Sequence, residues 1–255
     1  MTQRLLITLL LAVTSFTLNA DPIPVHHPQG TLHGFLLLRS EDGKILANGD
    51  LIQTLRKGVV TARITFRFRD GSLDDETAVY TQNTNFKLIR DHHIQKGPSF
   101  HDPLDLTVEA ATGQITTRTT DKDGKEKITE DHLDLPPDLT SNALLLVELM
   151  NLPAGTPATS LPMLAPASKP RLIKATITSA GETSVTTGTL RRKATDYLLK
   201  IDIGGVGKVV APLIGKAPAD THIWMIPGDA PAFVRQQGQF FAGGPIWTVE
   251  QTAPK

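Results

Sequence analysis

Asp91, His92, His93, His101 and Asp102 stand within the stretch RDHHIQKGPSFHDP, residues 90–103, which holds three of the chain's eight histidines. Imidazoles and carboxylates are the side chains that bind divalent metals and exchange protons near neutral pH. If KLIRDHHI runs as a strand, successive side chains face opposite ways. His92 and His93 then cannot serve one ion, whereas Asp91 and His93 can. The Gly97-Pro98 turn lets His101 return beside them. Asp91, His93 and His101 are therefore the candidate metal set, giving the three ligands of a catalytic zinc site with an open position. The competing reading is a polar strand end followed by a turn, and the spacing lacks the H-E-x-x-H helix signature.

Other chemical motifs fail on inspection. IGGVGKVVAP, residues 203–212, has Gly207-Lys208 followed by Val209 and no glycine five positions before Gly207, so it is not a phosphate-binding loop. It also lacks the third glycine of a dinucleotide fingerprint, and a glycine-rich bulge or bend in a sheet accounts for it. No G-x-S-x-G elbow is present. Ser72 of DGSLDDE falls in a hairpin turn, and Asp74, Asp75 and Glu76 after it read as a solvated charged edge. Arg63, Arg67 and Arg69 form a basic stripe facing acidic neighbours. No residue is assigned a catalytic role, and no cofactor is expected.

The elements that must position these residues are mostly strands. In ARITFRFRDG, Ile64, Phe66 and Phe68 share one face, while Arg63, Thr65, Arg67 and Arg69 share the other, the period of a half-buried antiparallel strand. Asp-Gly turn signals at 42–43, 70–71 and 123–124 separate successive hairpins. Strands are predicted at 31–40, 44–56, 59–69, 73–82, 85–95, 104–110, 114–120 and 125–131. The pattern then changes. In DLPPDLTSNALLLVELMNLPAG, Leu139, Ala143, Leu146 and Met150 recur near helical spacing, with Leu145 and Leu149 widening the stripe. This predicts one helix over 139–152, capped by Asp138 or Thr140 and stopped by Pro153 and Gly155. A linker with five prolines follows at 153–170. Strands return after it, with a hairpin expected across Ala180-Gly181, a longer strand in ATDYLLKIDIGG and two or three final strands.

Residues 1–20 have the layout of a secretory signal: Arg4, then the apolar LLITLLLAV, then LNA. The apolar stretch is shorter than the ~20 residues a spanning helix needs. Its removal would leave a net charge of about −1, with no basic face to suggest nucleic acid. The chain has no cysteine, which excludes disulfides, thiol catalysis and cysteine-based metal sites. The expected product is periplasmic or secreted, with no membrane span after cleavage. Residues 21–255 are expected to form one β-rich domain with an N-terminal half at 28–135 and a C-terminal half at 171–252, large enough to bury a core.

In outline, HPQGTLHGFLLLRSEDGKILANGDLIQ, FRFRDGSLDDET, DHHIQKGPSF, LPPDLTSNALLLVELMNL, GGVGKVVAPLIGKAP and FAGGPIW resemble uncharacterised exported bacterial β-rich proteins. The architecture is also similar to the periplasmic lipoprotein-carrier (lipoprotein localisation factor) superfamily. That resemblance implies a curved sheet wrapped around helices, with an apolar concave face able to hold acyl chains, and it transfers no binding residue.

The fold expected is mainly β: a curved antiparallel sheet or incomplete barrel packed around one central α-helix. The first functional expectation is a binding module for a hydrophobic or lipid-like ligand, in a concavity lined by Phe66, Phe68, Leu146, Leu149 and Trp224. The second is a structural or interaction protein with a partner in the cell envelope. The third is a metal-assisted hydrolase using Asp91, His93 and His101.

Overall fold

The computed structural model describes residues 22–120, 124–153, 155–167, 169–187, 189–202 and 218–253. The signal-like segment 1–20 and the glycine-rich stretch 203–212 lie outside them. The strands are β1 (Leu32–Ser40), β2 (Ile45–Arg56), β3 (Val59–Phe68), β4 (Leu73–Gln82), β5 (Phe86–Lys96), β6 (Leu104–Glu109), β7 (Gln114–Thr120) and β8 (Glu126–His132). Then come helix α1 (Asn142–Met150), β9 (Thr159–Ala165), β10 (Arg171–Thr187), β11 (Leu190–Asp202), β12 (Thr221–Ile226), β13 (Ala232–Gln239) and β14 (Ile246–Thr252).

All fourteen strands form one antiparallel sheet in the order β8-β7-β6-β5-β4-β3-β2-β1-β14-β13-β12-β11-β10-β9. Every neighbour is consecutive in sequence except β1 and β14, which pair in the middle, from Phe35 opposite Thr252 to Ser40 opposite Trp247. Among the described residues β8 and β9 are therefore the two free edges, and the chain between them carries α1. The sheet curves around the helix without closing on itself.

Local chemistry explains the meander. The β3–β4 hairpin turns at Asp70-Gly71, where Gly71 has φ +87° and the Asp70 carboxylate accepts the Ser72 N–H at 2.9 Å. Glycine adopts that backbone without the steric cost of a side chain. α1 starts at Ser141, whose hydroxyl accepts from Leu144 N–H. Neither Asp138 nor Thr140 is the cap. The Thr140 N–H is instead taken by Pro162 O of β9 at 2.9 Å. The helix ends at Asn151, and Pro153 cannot continue it.

α1 is apolar almost all round because it is covered on two sides. Ala143, Leu144 and Val147 pack on Val60, Ala62, Ala78, Tyr80 and Leu106 of the N-terminal strands. Leu145 and Leu149 pack on Leu161, Ile177, Tyr197 and Ile223 of the C-terminal strands. Leu144 is wholly buried, a burial that stabilises by about 1.5–3 kcal/mol. Beyond the helix, the interior is filled by Phe66, Phe68, Phe100, Phe240, Phe241 and Trp247. Phe100 comes from the β5–β6 connection, and Phe240 and Phe241 from the β13–β14 connection, so loop residues fold inward to complete the plug.

Two expectations are corrected. The segment 153–170 is not only linker, since residues 159–165 form edge strand β9, where Pro162 is tolerated because its missing N–H falls outside the ladder. Ala180-Gly181 is not a hairpin. β10 runs through it to Thr187 with a register shift between Ser179 and Gly181, a bulge that uses glycine at φ +120°.

Candidate functional site

Strand alternation places a charged cluster inside the sheet. Asp74 and Glu76 on β4 share a face with the buried Ala78 and Tyr80, and Asp91, His93 and Gln95 of β5 share the same face. Each of these five polar side chains is at most 8% exposed. His93 Nε2 lies 2.9 Å from Asp74 Oδ2, and Gln95 Nε2 donates to the same oxygen at 2.7 Å. Glu76 Oε1 accepts the Ala143 N–H of the first helical turn at 3.0 Å. A carboxylate at a helix N-terminus is favoured by the exposed amides and the helix dipole.

Burial would lower the basicity of His93, but the hydrogen bond and charge of Asp74, with the charges of Glu76 and Asp91, outweigh it and raise the pKa to about 9. At neutral pH the imidazole is thus a buried cation donating to Asp74. Burial, and then the neighbouring Glu76 charge, push the Asp91 carboxyl well above the usual range, opposed by His93 and by a hydrogen bond with Ser141. Among the described residues, Asp91 Oδ1 has no hydrogen-bond partner. It faces a cavity lined also by Glu76, His93, Thr140, Ser141 and Leu164. The cavity measures about 20 Å³, room for a single water where one needs ~10–15 Å³.

Glu148 adds a further buried acid on the helix. Burial raises its pKa to about 8, against a 2.6 Å hydrogen bond from Thr140 Oγ1 and with a contribution from Asp138. It is therefore neutral at pH 7.

The other end of α1 faces a larger cleft of about 180 Å³, lined by Leu149, Met150, Leu152, Tyr197, Met225 and Ile226, with His27 at its edge. Asn151 builds this end of the helix. Its Nδ2 donates to Val147 O at 2.8 Å, and its Oδ1 accepts the backbone N–H groups of His26 and His27 at 2.8 and 2.7 Å.

The structure separates the residues proposed from sequence. Asp91 and His93 lie together, but His101 sits exposed in the β5–β6 connection. Among the described residues no three His, Cys, Asp or Glu side chains converge to hold a metal. The metal set Asp91, His93 and His101 is therefore withdrawn. His92 points to the opposite face, 2.9 Å from Asp105.

The five candidate ligand residues do not line one concavity. Phe66 and Phe68 belong to the aromatic plug. Leu149 borders the cleft, and Leu146 packs beside it on the C-terminal strands. Trp224 faces the other side of the sheet from Ile223 and Met225, where Arg235 lies 4.1 Å above its ring and His222 stacks at 5.6 Å. It offers no surface to the interior.

Asp74 and Glu76, expected on a solvated edge, are both buried, as is Asp75. The signal that finds them is register: Ile64 opposes Glu76 and Phe66 opposes Asp74. The apolar face of β3 thus carries the acids of β4 inward with it. Asp75, on the outer face, is held in a two-point contact by Arg63. Burial pushes its carboxyl up, but the Arg63 guanidinium more than offsets this and leaves it below the usual range. Arg67 similarly meets Asp50 at 3.2 Å, so the two arginines of the stripe that lie on β3 are paired with acids.

No protein-family model matches the chain, and no curated protein matches it. Solved structures similar to it include a β-barrel-like protein of a domain of unknown function, DUF1849, from Brucella abortus. That structure is 10% identical, with 88% of this chain and 97% of that chain covered, at a TM-score of 0.45. Another is the hypothetical lipoprotein YmcC from Escherichia coli K12, 9% identical, with 88% and 85% covered and a TM-score of 0.42.

Proposed function

We propose that the chain is a non-enzymatic binding module of the cell envelope that takes the end of a hydrophobic, lipid-like molecule into the cleft at the C-terminal turn of α1. The observation that carries this reading is the cleft itself, about 180 Å³ bounded by Leu149, Met150, Leu152, Met225 and Ile226. Whole-ligand pockets run to ~300–1,000 Å³. This one is sized for a ring or the last few methylenes of an acyl chain. Unbranched Met150 and Met225 adapt to irregular apolar guests, and His27 supplies a polar edge. The resemblance to lipoprotein carriers implies acyl chains held in the concave interior. Here α1 and the aromatic plug fill that interior, which moves the acyl-binding reading to the mouth.

The signal-like residues 1–20 support export. No helix among the described residues is long and apolar enough to cross a membrane. The signal-like segment alone carries the reading of a periplasmic or secreted protein.

Delipidated protein titrated with a fluorescent fatty acid should show one saturable site per chain. Met150→Lys, at a half-buried position, should weaken uptake at least tenfold while leaving the thermal melt intact. Absence of saturable uptake, or uptake indifferent to Met150→Lys, overturns the reading.

A second reading, an interaction protein of the envelope, is favoured by a different observation. At the open end of the β1–β2 pair Leu32 and Leu55 are 39% and 40% exposed on one face, and Ile52 is 46% exposed on the other. Reproducible capture of one envelope protein that is lost in Ile52→Lys would favour it over the first.

A further inference from the structure

We infer that α1 is a movable stopper, held at its N-terminal end by a proton-dependent latch built from Glu76, Asp91 and Ser141, and that loosening this latch frees the helix from the walls it joins at the seam between β8 and β9. This goes beyond the ligand reading and does not depend on it.

The seam is where the sheet fails to close. β8 and β9 are not paired with each other, and the chain between them bridges the gap. Thr140 makes a parallel bridge with Met163 of β9, and two residues later the helix begins. Its first turn is tied to the opposite wall by Glu76, through the Ala143 N–H. The narrow cavity at this point has Leu164 of β9 on one side and Leu88, Leu106 and Val108 of β5 and β6 on the other. The short run Thr140–Ala143 therefore holds both walls, and Asp91, whose Oδ1 has no hydrogen-bond partner among the described residues, lines the space beneath it.

The groups facing this point come from every packed element. β4 supplies Asp74, Glu76 and Tyr80, and β5 supplies Asp91, His93 and Gln95. The connection before the helix supplies Asp138, Thr140 and Ser141, and the helix supplies Glu148. With Glu148 protonated, His93 cationic and burial favouring the neutral form of Asp91, Asp74 and Glu76 face one buried cation and the helix N-terminus. Raising the pH removes protons from Glu148 and His93 and drives Asp91, whose carboxyl burial keeps neutral to higher pH than usual, toward its charged form. Burial opposes each carboxylate charge, and the compensating imidazolium is lost. Water must then enter to solvate the acids. The cavity has room for only about one, so the N-terminal turn of α1 has to move.

The absence of cysteine in the chain makes the test clean. Val147→Cys places a single thiol on the buried helix face, and Ala47→Cys places one in the aromatic plug as a reference. Labelling rates with a small thiol reagent are measured at pH 6 and pH 9, each divided by the rate for the urea-unfolded protein at that pH. The normalised rate at 147 should rise at least tenfold between the two pH values, while that at 47 changes less than threefold. Asp91→Asn, neutral at every pH, should remove most of the rise. Glu148→Gln should reduce it and serves if Asp91→Asn does not fold. A flat profile at 147, an equal rise at both positions, or a rise that survives these substitutions overturns the proposal. A stopper that opens without fatty-acid uptake would leave this inference standing and remove the ligand reading.

Discussion

Asn151 Oδ1 accepts the backbone N–H of His27 at 2.7 Å, across 124 residues of sequence. One buried amide side chain thus ends the helix and anchors the segment before β1. Asn151→Ala removes the acceptor of two backbone N–H groups and the donor to Val147 O. Each buried group left unsatisfied costs about 1–3 kcal/mol. A loss of roughly 2–4 kcal/mol in urea unfolding is expected, together with proteolytic release of residues before Leu32 under native conditions. Asn151→Asp, which keeps the acceptor, should protect that segment better than Asn151→Ala.

Glycine at position 49 is required by a ring. A Cβ there would lie 2.5 Å from Phe66 Cε1 and 3.1 Å from Leu36 Cβ. Phe66 is itself wedged edge-on against Phe240 at 5.4 Å and has little room to retreat. Overpacking of this kind costs typically ~1–3 kcal/mol. Gly49→Ala should lower the unfolding midpoint by a matching amount, and Gly43→Ala, in open space, should cost only the backbone strain of its φ of +85°, about 1–2 kcal/mol.

Stability should fall as pH rises. Glu148 keeps its proton in the folded chain up to about pH 8, whereas the unfolded chain releases it near 4.5. Between these values the folded state binds more protons, so stability declines with increasing pH. His93 acts in the same direction: its contribution is complete below its unfolded value of 6.5 and is lost as pH passes about 9. The melting temperature at pH 6 should exceed that at pH 9 by roughly 5 °C or more, at about 2–4 °C per kcal/mol for a chain of this size. Glu148→Gln should flatten the curve.

Arg63 and Asp75 form a different kind of pair. Asp75 is 9% exposed, and its carboxyl is held low by the Arg63 guanidinium against the effect of burial. Arg63→Ala strands that carboxylate and should cost about 1–3 kcal/mol at neutral pH. The loss should shrink below pH 4, where the carboxyl is protonated in the unfolded chain. Arg63→Lys should recover only part, since an ammonium cannot make the two-point contact.

The first eight strands were legible to within one residue at each end, because Asp-Gly turns and period-two alternation agree there. Agreement failed where one signal was trusted over another. Asp74-Asp75-Glu76 was read as surface on charge alone, although the alternation through Ala78 and Tyr80 already placed Asp74 and Glu76 with the core. Proline density hid β9, since an edge strand can spare the N–H that an inner strand needs. Ala180-Gly181 looked like a turn because glycine serves bulges and turns through the same backbone freedom. The cluster at the foot of α1 was beyond reach, since Ser141 and Glu148 meet β4 and β5 only through the three-dimensional path of the chain.

The zipper between β1 and β14 has a consequence for damage to the backbone. With the earliest and latest strands fastened to one another, the chain between α1 and β9 becomes a dispensable joint. A single protease nick between Gly155 and Ala158 would yield two fragments that stay associated through the Phe35–Ser40 ladder. Loss of Ile246–Thr252 would instead divide the sheet where it is continuous and leave two half-shells joined through α1.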